Sequence, residues 1–539
     1  MGGQIHARPG PLLVRVGPFA HRSDRPQGTC NPAPAGREPA TPDPTSDLTV
    51  EERGSPAVAA AGTARVAGWT ARRFDAVTDY RRISFWLETA GDDLEPRPPL
   101  DGSTDADVAI LGAGLTGLWT AYYLHRADPS LRIVVVERDI AGFGASGRNG
   151  AWCAPDLNIS MGRLAGLHGE DAARRMQQAT YDAVDEVGRA TVADGIDAGF
   201  RKGGEIIVSR GPQGVPSLEA SLEEYRRFGF GDRYRLIGGE ELKSRISIAG
   251  ATRALVSDDA AVVHPGRLTR GLARRLEGEG VQIVEQTAVT GFRPRDATGK
   301  AALVTPRGDV RAPVIVLAGE AYLSELRPLH RQLVPLWSLI VLTEPVSDEA
   351  WAEIGWRGRE VVASTRLSID YLSRTEDGRI LFGGRGAPYR LGSPIKLEYD
   401  QHGPTHERLR AFVRAWFPAL AGVRFTHAWG GPLGMPRDWH PTMAFDPATG
   451  IATSRGYIGH GVSTTNLGGR VLRDLILGRS TPLTELPLVN HRSRDWEPEP
   501  FRFLGVRYAQ WALGRLDDRI DRTGVPPSGR SLAERIAAH

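Results

Sequence analysis

Between positions 108 and 127 the chain reads VAILGAGLTGLWTAYYLHRA, and no other stretch restricts the fold as much. Val108 to Leu111 form an unbroken apolar run, as suits a strand covered on both faces in a parallel sheet. Gly112, Ala113, Gly114, Leu115, Thr116 and Gly117 follow at once, and an apolar helical pattern continues from them. In this context Gly112 permits a tight turn and Gly114 lets a pyrophosphate approach the backbone. Gly117 lets helix and strand pack closely. The free N–H groups at such a helix start suit phosphate. A second apolar run, RIVVVE, ends in Glu137, twenty residues beyond Gly117. An acid at that place can hold the ribose hydroxyls of an adenine dinucleotide. Together these features predict a βαβ unit that binds a dinucleotide.

The glycine motif does not choose between NAD and FAD; two further segments do. Residues 142–150, GFGASGRNG, hold four glycines, one alanine and one serine in nine positions. Glycine costs backbone entropy, so such a loop implies something close to its backbone. The expectation is that the loop runs beneath the pyrophosphate and along a flat ring, where bulky side chains would interfere. More than 300 residues beyond the first motif, GYIGHGVSTTNLGGR at 456–470 repeats the order of strand, glycine turn and helix. A helix starting near Thr464 or Thr465 would aim its positive end at something anionic, such as the N1 and C2-oxygen edge of a reduced flavin. FAD is therefore favoured. An NAD(P)-dependent dehydrogenase sharing only the first motif is the alternative, with a flavin-binding protein lacking turnover as a third reading.

The rest of the chain sets the frame. Its 539 residues allow two domains or more. A net charge of +3 on 67 basic and 64 acidic residues gives no reason to expect nucleic acid as a partner. Two cysteines, Cys30 and Cys153, make neither a disulfide framework nor a CxxC metal site. They suit the reducing cytoplasm, and no metal ligand set is read. No apolar run approaches the ~18 residues of a membrane span, so membrane contact is not expected. Residues 1–66 are rich in Pro, Gly, Ala and Arg and read as a disordered tail. Order is expected from Trp69–Trp86, within an extension at 67–104. His264, before Pro265, reads as a helix-entry residue. Asp438 and Pro441 read as a turn that orders the last flavin strand. Leu504, Tyr508, Trp511 and Ala512 read as one face of a helix that docks on the protein.

At this point the sequence resembles the FAD-dependent D-amino-acid oxidase, glycine oxidase and sarcosine oxidase family, nearest its γ-glutamylputrescine oxidoreductase-like members. The segments that carry the resemblance lie between about 105 and 480. ERDIAGFGASGRNG and GYIGHGV are the specific ones, with VIVLAGEAY, DGRILFGGR and HPGRLTRGLARRLEGEG in support. The resemblance implies an α/β fold. A composite, discontinuous Rossmann-type FAD domain would take 105–190, 255–330 and 425–480. A mixed or antiparallel-sheet substrate domain would take 191–254 and 331–424, and a helical tail 481–539. It implies that Glu137, with Arg138 beside it, meets the adenosine ribose. Gly144, Ala145, Ser146, Gly147, Arg148, Asn149 and Gly150 would run along the flavin. Val289 would touch the adenine side, Ala318 and Gly319 the dinucleotide, and Gly459, His460, Gly461, Val462 and Thr464 the pyrimidine edge. Relatives with covalent flavin use a histidine in the first flavin loop or a later cysteine. This loop has Arg148 and Asn149, so non-covalent FAD is implied.

The implied reaction is oxidation of an amine or amino acid by hydride transfer to flavin N5. The imine formed hydrolyses to a carbonyl product. Oxygen or another carrier would reoxidise the flavin; none of Lys202, Lys243, Lys300 and Lys396 falls in a motif associated with oxygen activation. For the substrate pocket the candidates are Trp337, Tyr371, Arg374, Arg385 and His460, because an aromatic wall plus an arginine suits an amine bearing a carboxylate.

Overall fold

The computed structural model describes residues 79–525; the tail at 1–66 and the start of the extension at Trp69 lie outside them. The βαβ unit forms as its pattern predicts. Val108–Leu111 and Ile133–Val136 pair in parallel, joined by the helix Leu115–Ala127. They sit in a six-stranded sheet whose other members come from far along the chain. The order is Thr442–Asp446, Ile451–Arg455, Val314–Leu317, Val108–Leu111, Ile133–Val136, Gln282–Val284. Every neighbour pair is parallel except the first. The central strands Val314–Leu317 and Ile133–Val136 are buried throughout, which is why their sequences do not alternate.

A second, eight-stranded sheet holds Phe425–Met435, Val334–Thr343, Ile380–Arg385, Asp370–Arg374, Val361–Ser364, Glu205–Arg210, Ala251–Ser257 and Tyr234–Gly238, in that order. It is antiparallel except where Val361–Ser364 meets Glu205–Arg210, so it is mixed. Against the boundaries read from the sequence, Phe425–Met435 lies wholly on the FAD side and Ala251–Ser257 straddles the one at 254/255. Phe425–Met435 pairs along its length with Val334–Thr343, and Ala251–Ser257 pairs with Glu205–Arg210. Both therefore run in the eight-stranded sheet.

The N-terminal extension braces the glycine loop. Ser84 Oγ donates to the Gly147 carbonyl at 2.7 Å, and Trp86 Nε1 to that of Asn149 at 2.8 Å. Trp86 also packs edge-on against His264, with ring centroids 4.9 Å apart. His264 caps the helix Pro265–Gly278, accepting the Arg267 N–H at Nδ1.

At the other end, the helix Phe501–Thr523 docks on the protein, but by a different face from the one read in the sequence. Val506, Ala509, Ala512 and Leu516 point inward, while Leu504, Tyr508 and Trp511 face out. Leu504, Tyr508, Trp511 and Ala512 do fall within one stripe about 100° wide, but only Ala512, at its edge, turns inward. Asp517 fixes the docking by accepting the backbone N–H groups of Leu367 and Ser368, each at 2.9 Å. No helix among the described residues is long and apolar enough to cross a membrane.

Candidate functional site

The two remote glycine segments meet. Thr116, in the first motif, hydrogen-bonds the Tyr457 hydroxyl at 2.9 Å. Behind this contact the helices Leu115–Ala127 and Gly461–Ile476 touch so closely that a Cβ on Gly469 would lie 2.7 Å from the Trp119 carbonyl carbon. Glu320, just past Ala318 and Gly319, accepts the Gly456 N–H at 2.9 Å. Burial pushes its carboxyl up to about 7. The strand Val314–Leu317 is thereby tied to the start of the late glycine turn.

The first motif is a cradle. Gly112 has φ +100°, and a Cβ there would lie 2.9 Å from the Ala318 carbonyl oxygen. At Gly117 a Cβ would come within 2.0 Å of the Gly112 carbonyl oxygen. Glu137 accepts the N–H groups of Ala113 and Asp139 at 2.8 and 3.0 Å, while burial pushes its carboxyl up to about 7. Arg138 is turned away into ion pairs with Asp139 and Glu325. Val289 packs beside the apolar cluster of Val284 and Leu303.

The loop 142–150 needs its glycines partly for reasons the sequence does not display. A Cβ on Gly147 would fall 2.2 Å from the Gly142 carbonyl oxygen, and one on Gly150 would fall 2.4 Å from the Tyr371 ring. At these two positions the space belongs to the protein's own atoms, not only to a ring lying on the loop. Ser146 Oγ accepts the Leu115 N–H at 2.8 Å and joins this loop to the first motif. Asn149 folds back to the carbonyls of Ala145 and Ser146.

Arg148 is the buried centre of the loop. It donates to the Phe143 carbonyl, pairs with Asp400, and stacks over Phe143 at 4.4 Å. Its Nη2 is buried without a hydrogen-bond partner. Trp337 holds Asp400 through Nε1 at 2.9 Å. Asp400, the partner of Arg148, is a residue the sequence reading missed, because it lies 252 positions away.

A cavity of about 230 Å³ opens between this loop and the eight-stranded sheet. Ala145, Arg148, Asn149 and Gly150 form one side, and Ile458, Gly459 and His460 an edge. Tyr371 and Arg385 face them from the sheet. Tyr371 is hydrogen-bonded to Ser338 at 2.8 Å, and burial pushes its hydroxyl up to about 12. Arg385 donates to the Ile458 carbonyl at 3.1 Å and lies over Trp439. Burial pulls its pKa down to about 10. No carboxylate among the described residues is in ion-pair range of it.

Two expected wall residues are elsewhere. Trp337 faces Asp400 inside the sheet's core, and Arg374 is drawn to the Trp356 carbonyl and the Trp351 ring, so neither lines the cavity. Strand alternation explains Arg374: Tyr371 and Arg374 are three apart on one strand and so point to opposite faces. None of the four lysines lines the cavity either.

At the edge, Gly459 has φ +106° and His460 precedes the helix Gly461–Ile476, whose first turn has no side-chain cap. Val462 is buried, and Thr464 Oγ1 donates back to the His460 carbonyl. His460 Nδ1 stands 4.0 Å from Asp156. Asn158 secures the turn by donating to the carbonyls of Tyr457 and Ile458. These residues fit FAD: a glycine cradle at one helix start and an acid at the second strand's end suit the dinucleotide, the hydrogen bond from Thr116 to Tyr457 joins that cradle to the late glycine turn, and Arg148, with its unpartnered Nη2, lines the cavity beside Gly459 and His460.

This chain belongs to the family of FAD-dependent oxidoreductases described as DAO, whose profile matches residues 107–475. It is an enzyme that uses FAD, which sets aside the NAD(P) alternative. Among curated proteins it is similar to γ-glutamylputrescine oxidoreductase of Escherichia coli, 27% identical over 79% of this chain and 97% of that protein. It is also 27% identical to glycine oxidase of Pseudomonas aeruginosa, over 70% of this chain and 97% of that one. Among solved structures it is similar to glycine oxidase from Geobacillus kaustophilus, with a TM-score of 0.61, 19% identity, and coverage of 72% and 100%. That likeness concerns the fold.

Proposed function

We propose that this enzyme oxidises a small amine that carries a carboxylate, using FAD held without a covalent bond. The observation that carries the reading is Arg385, a half-buried cation on the cavity wall with no acidic partner among the described residues. A guanidinium so placed pairs readily with a carboxylate. The similarity to γ-glutamylputrescine oxidoreductase and glycine oxidase supports an amine as donor.

Bound FAD would supply an acceptor for the hydride lost from the substrate's α-carbon, and the imine left behind would be hydrolysed by water to a carbonyl product. The chain's own residues do the rest. Arg385 fixes the carboxylate and Tyr371 walls the bound amine. The loop 145–150 and the turn 458–460 hold the reacting edge and exclude water. The uncapped helix start at Gly461 stabilises negative charge that grows there. Non-covalent attachment follows from Arg148 and Asn149 standing in the loop.

We further place residues 105–190, 258–330 and 436–480 in the FAD-binding unit, and give the strands up to Ser257 and Met435 to the substrate unit. The enzyme is assigned to the cytoplasm on its cysteine usage, with Cys153 a free, buried thiol.

Arg385→Gln tests the reading. Loss of a charge-assisted hydrogen bond costs about 1.5–3 kcal/mol, so the variant should show KM raised about 10- to 150-fold for carboxylate amines. Its FAD content should be unchanged. An unaltered KM would remove Arg385 from substrate binding.

A further inference from the structure

Outside the cavity, on the turn before the strand Thr442–Asp446, stand Asp438, Trp439 and His440. Trp439 has φ +64°. The side chains of Asp438 and His440 converge there with His491, from the segment after the helix Gly461–Ile476. Asp438 Oδ2 accepts from His491 Nε2 at 2.7 Å and lies 3.8 Å from His440 Nδ1. One ligand atom from each of the three residues falls within 4.8 Å of the other two.

His440 is the telling residue. It is 4% exposed, and neither of its ring nitrogens has a hydrogen-bond partner. Burying two such groups unsatisfied is costly, on the order of 1–3 kcal/mol for each. Asp438 is already arranged as a ligand. Its Oδ1 is taken by Ser493 Oγ at 2.7 Å and the His440 N–H at 3.2 Å, which leaves Oδ2 facing the two rings. His491 is held as well, since Thr442 Oγ1 donates to its carbonyl at 2.7 Å. Arg163 adds positive charge nearby, which the Asp438 carboxylate opposes.

We propose that Asp438, His440 and His491 bind a divalent transition metal, zinc by the nature of the ligand set, and so staple the chain near His491 to the turn at Asp438. Two imidazoles and one carboxylate leave a fourth tetrahedral position for water. Ligand atoms about 2.1 Å from zinc lie about 3.4 Å from one another, so the longest separation here closes by about 1.4 Å at most. The metal replaces the proton His491 Nε2 shares with Asp438; that proton moves to Nδ1 or to solvent. The staple bears on the cavity through its neighbours. Trp439 lies beneath Arg385, and Gly456, which opens the late glycine turn, packs against Pro436 and the His440 carbonyl.

The test uses the FAD-loaded full chain, stripped with a chelator, dialysed against zinc chloride, freed of excess and analysed for metal. Roughly one zinc per chain is expected, with a Tm raised by zinc and not by magnesium. His440→Met and His491→Ala should each weaken zinc binding more than about 100-fold, beyond what loss of an outer partner costs. The wild-type measurement stands even where a variant folds poorly. Wild-type protein holding no zinc above the buffer level would overturn the proposal, as would zinc retained equally by both variants.

Discussion

Replacing Gly117 with alanine puts the cofactor cradle under a calculable strain. The new Cβ would sit 2.0 Å from the Gly112 carbonyl oxygen, and real contacts of this kind are essentially never below 3.0 Å. Helix and turn must therefore separate by about 1 Å. Overpacking of this sort costs about 1–3 kcal/mol, while alanine's better helix propensity returns about 1 kcal/mol. The net loss of stability is about 0–2 kcal/mol. The larger effect falls on FAD, because the N–H groups at the start of the helix Leu115–Ala127 shift with it. Losing one charge-assisted hydrogen bond weakens FAD about 10- to 150-fold. Fluorescence titration of the apoprotein with FAD reads this directly. Gly166→Ala is the control: it lies in the helix Met161–His168 with nothing within 4 Å of the new Cβ. It should raise stability by up to about 1 kcal/mol and leave FAD affinity unchanged. A Gly117→Ala protein that binds FAD as tightly as the wild type would refute the reasoning.

Other perturbations probe the supports of the site. Asp400→Asn leaves Arg148 a buried charge without its counterion and should cost about 3–5 kcal/mol, seen as a lower Tm in thermal unfolding. Asp517→Ala strands the buried Leu367 N–H beside its neighbour at Ser368 and should cost about 1–3 kcal/mol, read by denaturant unfolding. The same variant should raise KM, because Arg366 and Ile369 of that segment line the cavity. His264 is pulled down to about 3 by burial, so the unfolded chain takes up its proton first as pH falls. The stability it contributes is complete above about pH 6.5 and is lost as pH drops towards 3. His264→Asn, which keeps a capping side chain, should show a shallower loss of Tm over that range.

Much of this was legible because local demands and global fold coincide. The glycine turn at 112–117, the acid at Glu137 and the late glycine turn are each written in a few adjacent residues, but the late helix starts at Gly461 rather than near Thr464 or Thr465, because Gly461 and Val462 already take helical backbone. The boundary at Phe425 was less legible, since an alternating strand does not state which sheet it joins; pairing with Val334–Thr343 decides that. Trp337 and Arg374 were misplaced for a related reason: residue type suggests a pocket, but the strand's two-residue period decides the face. Asp400 and the cluster at Asp438, His440 and His491 were invisible, because partners 252 and 53 positions apart carry no spacing signal.

The central claim is that an amine bound through its carboxylate beside Arg385 gives up hydride in this cavity. Anaerobic mixing of the wild-type holoenzyme with matched pairs of amines, each with and without a carboxylate, tests it at the 450 nm flavin band. The account predicts bleaching by at least one carboxylate-bearing amine and markedly weaker bleaching by its partner that lacks the carboxylate. Equal bleaching by both members of every pair, or none by any amine, would contradict it.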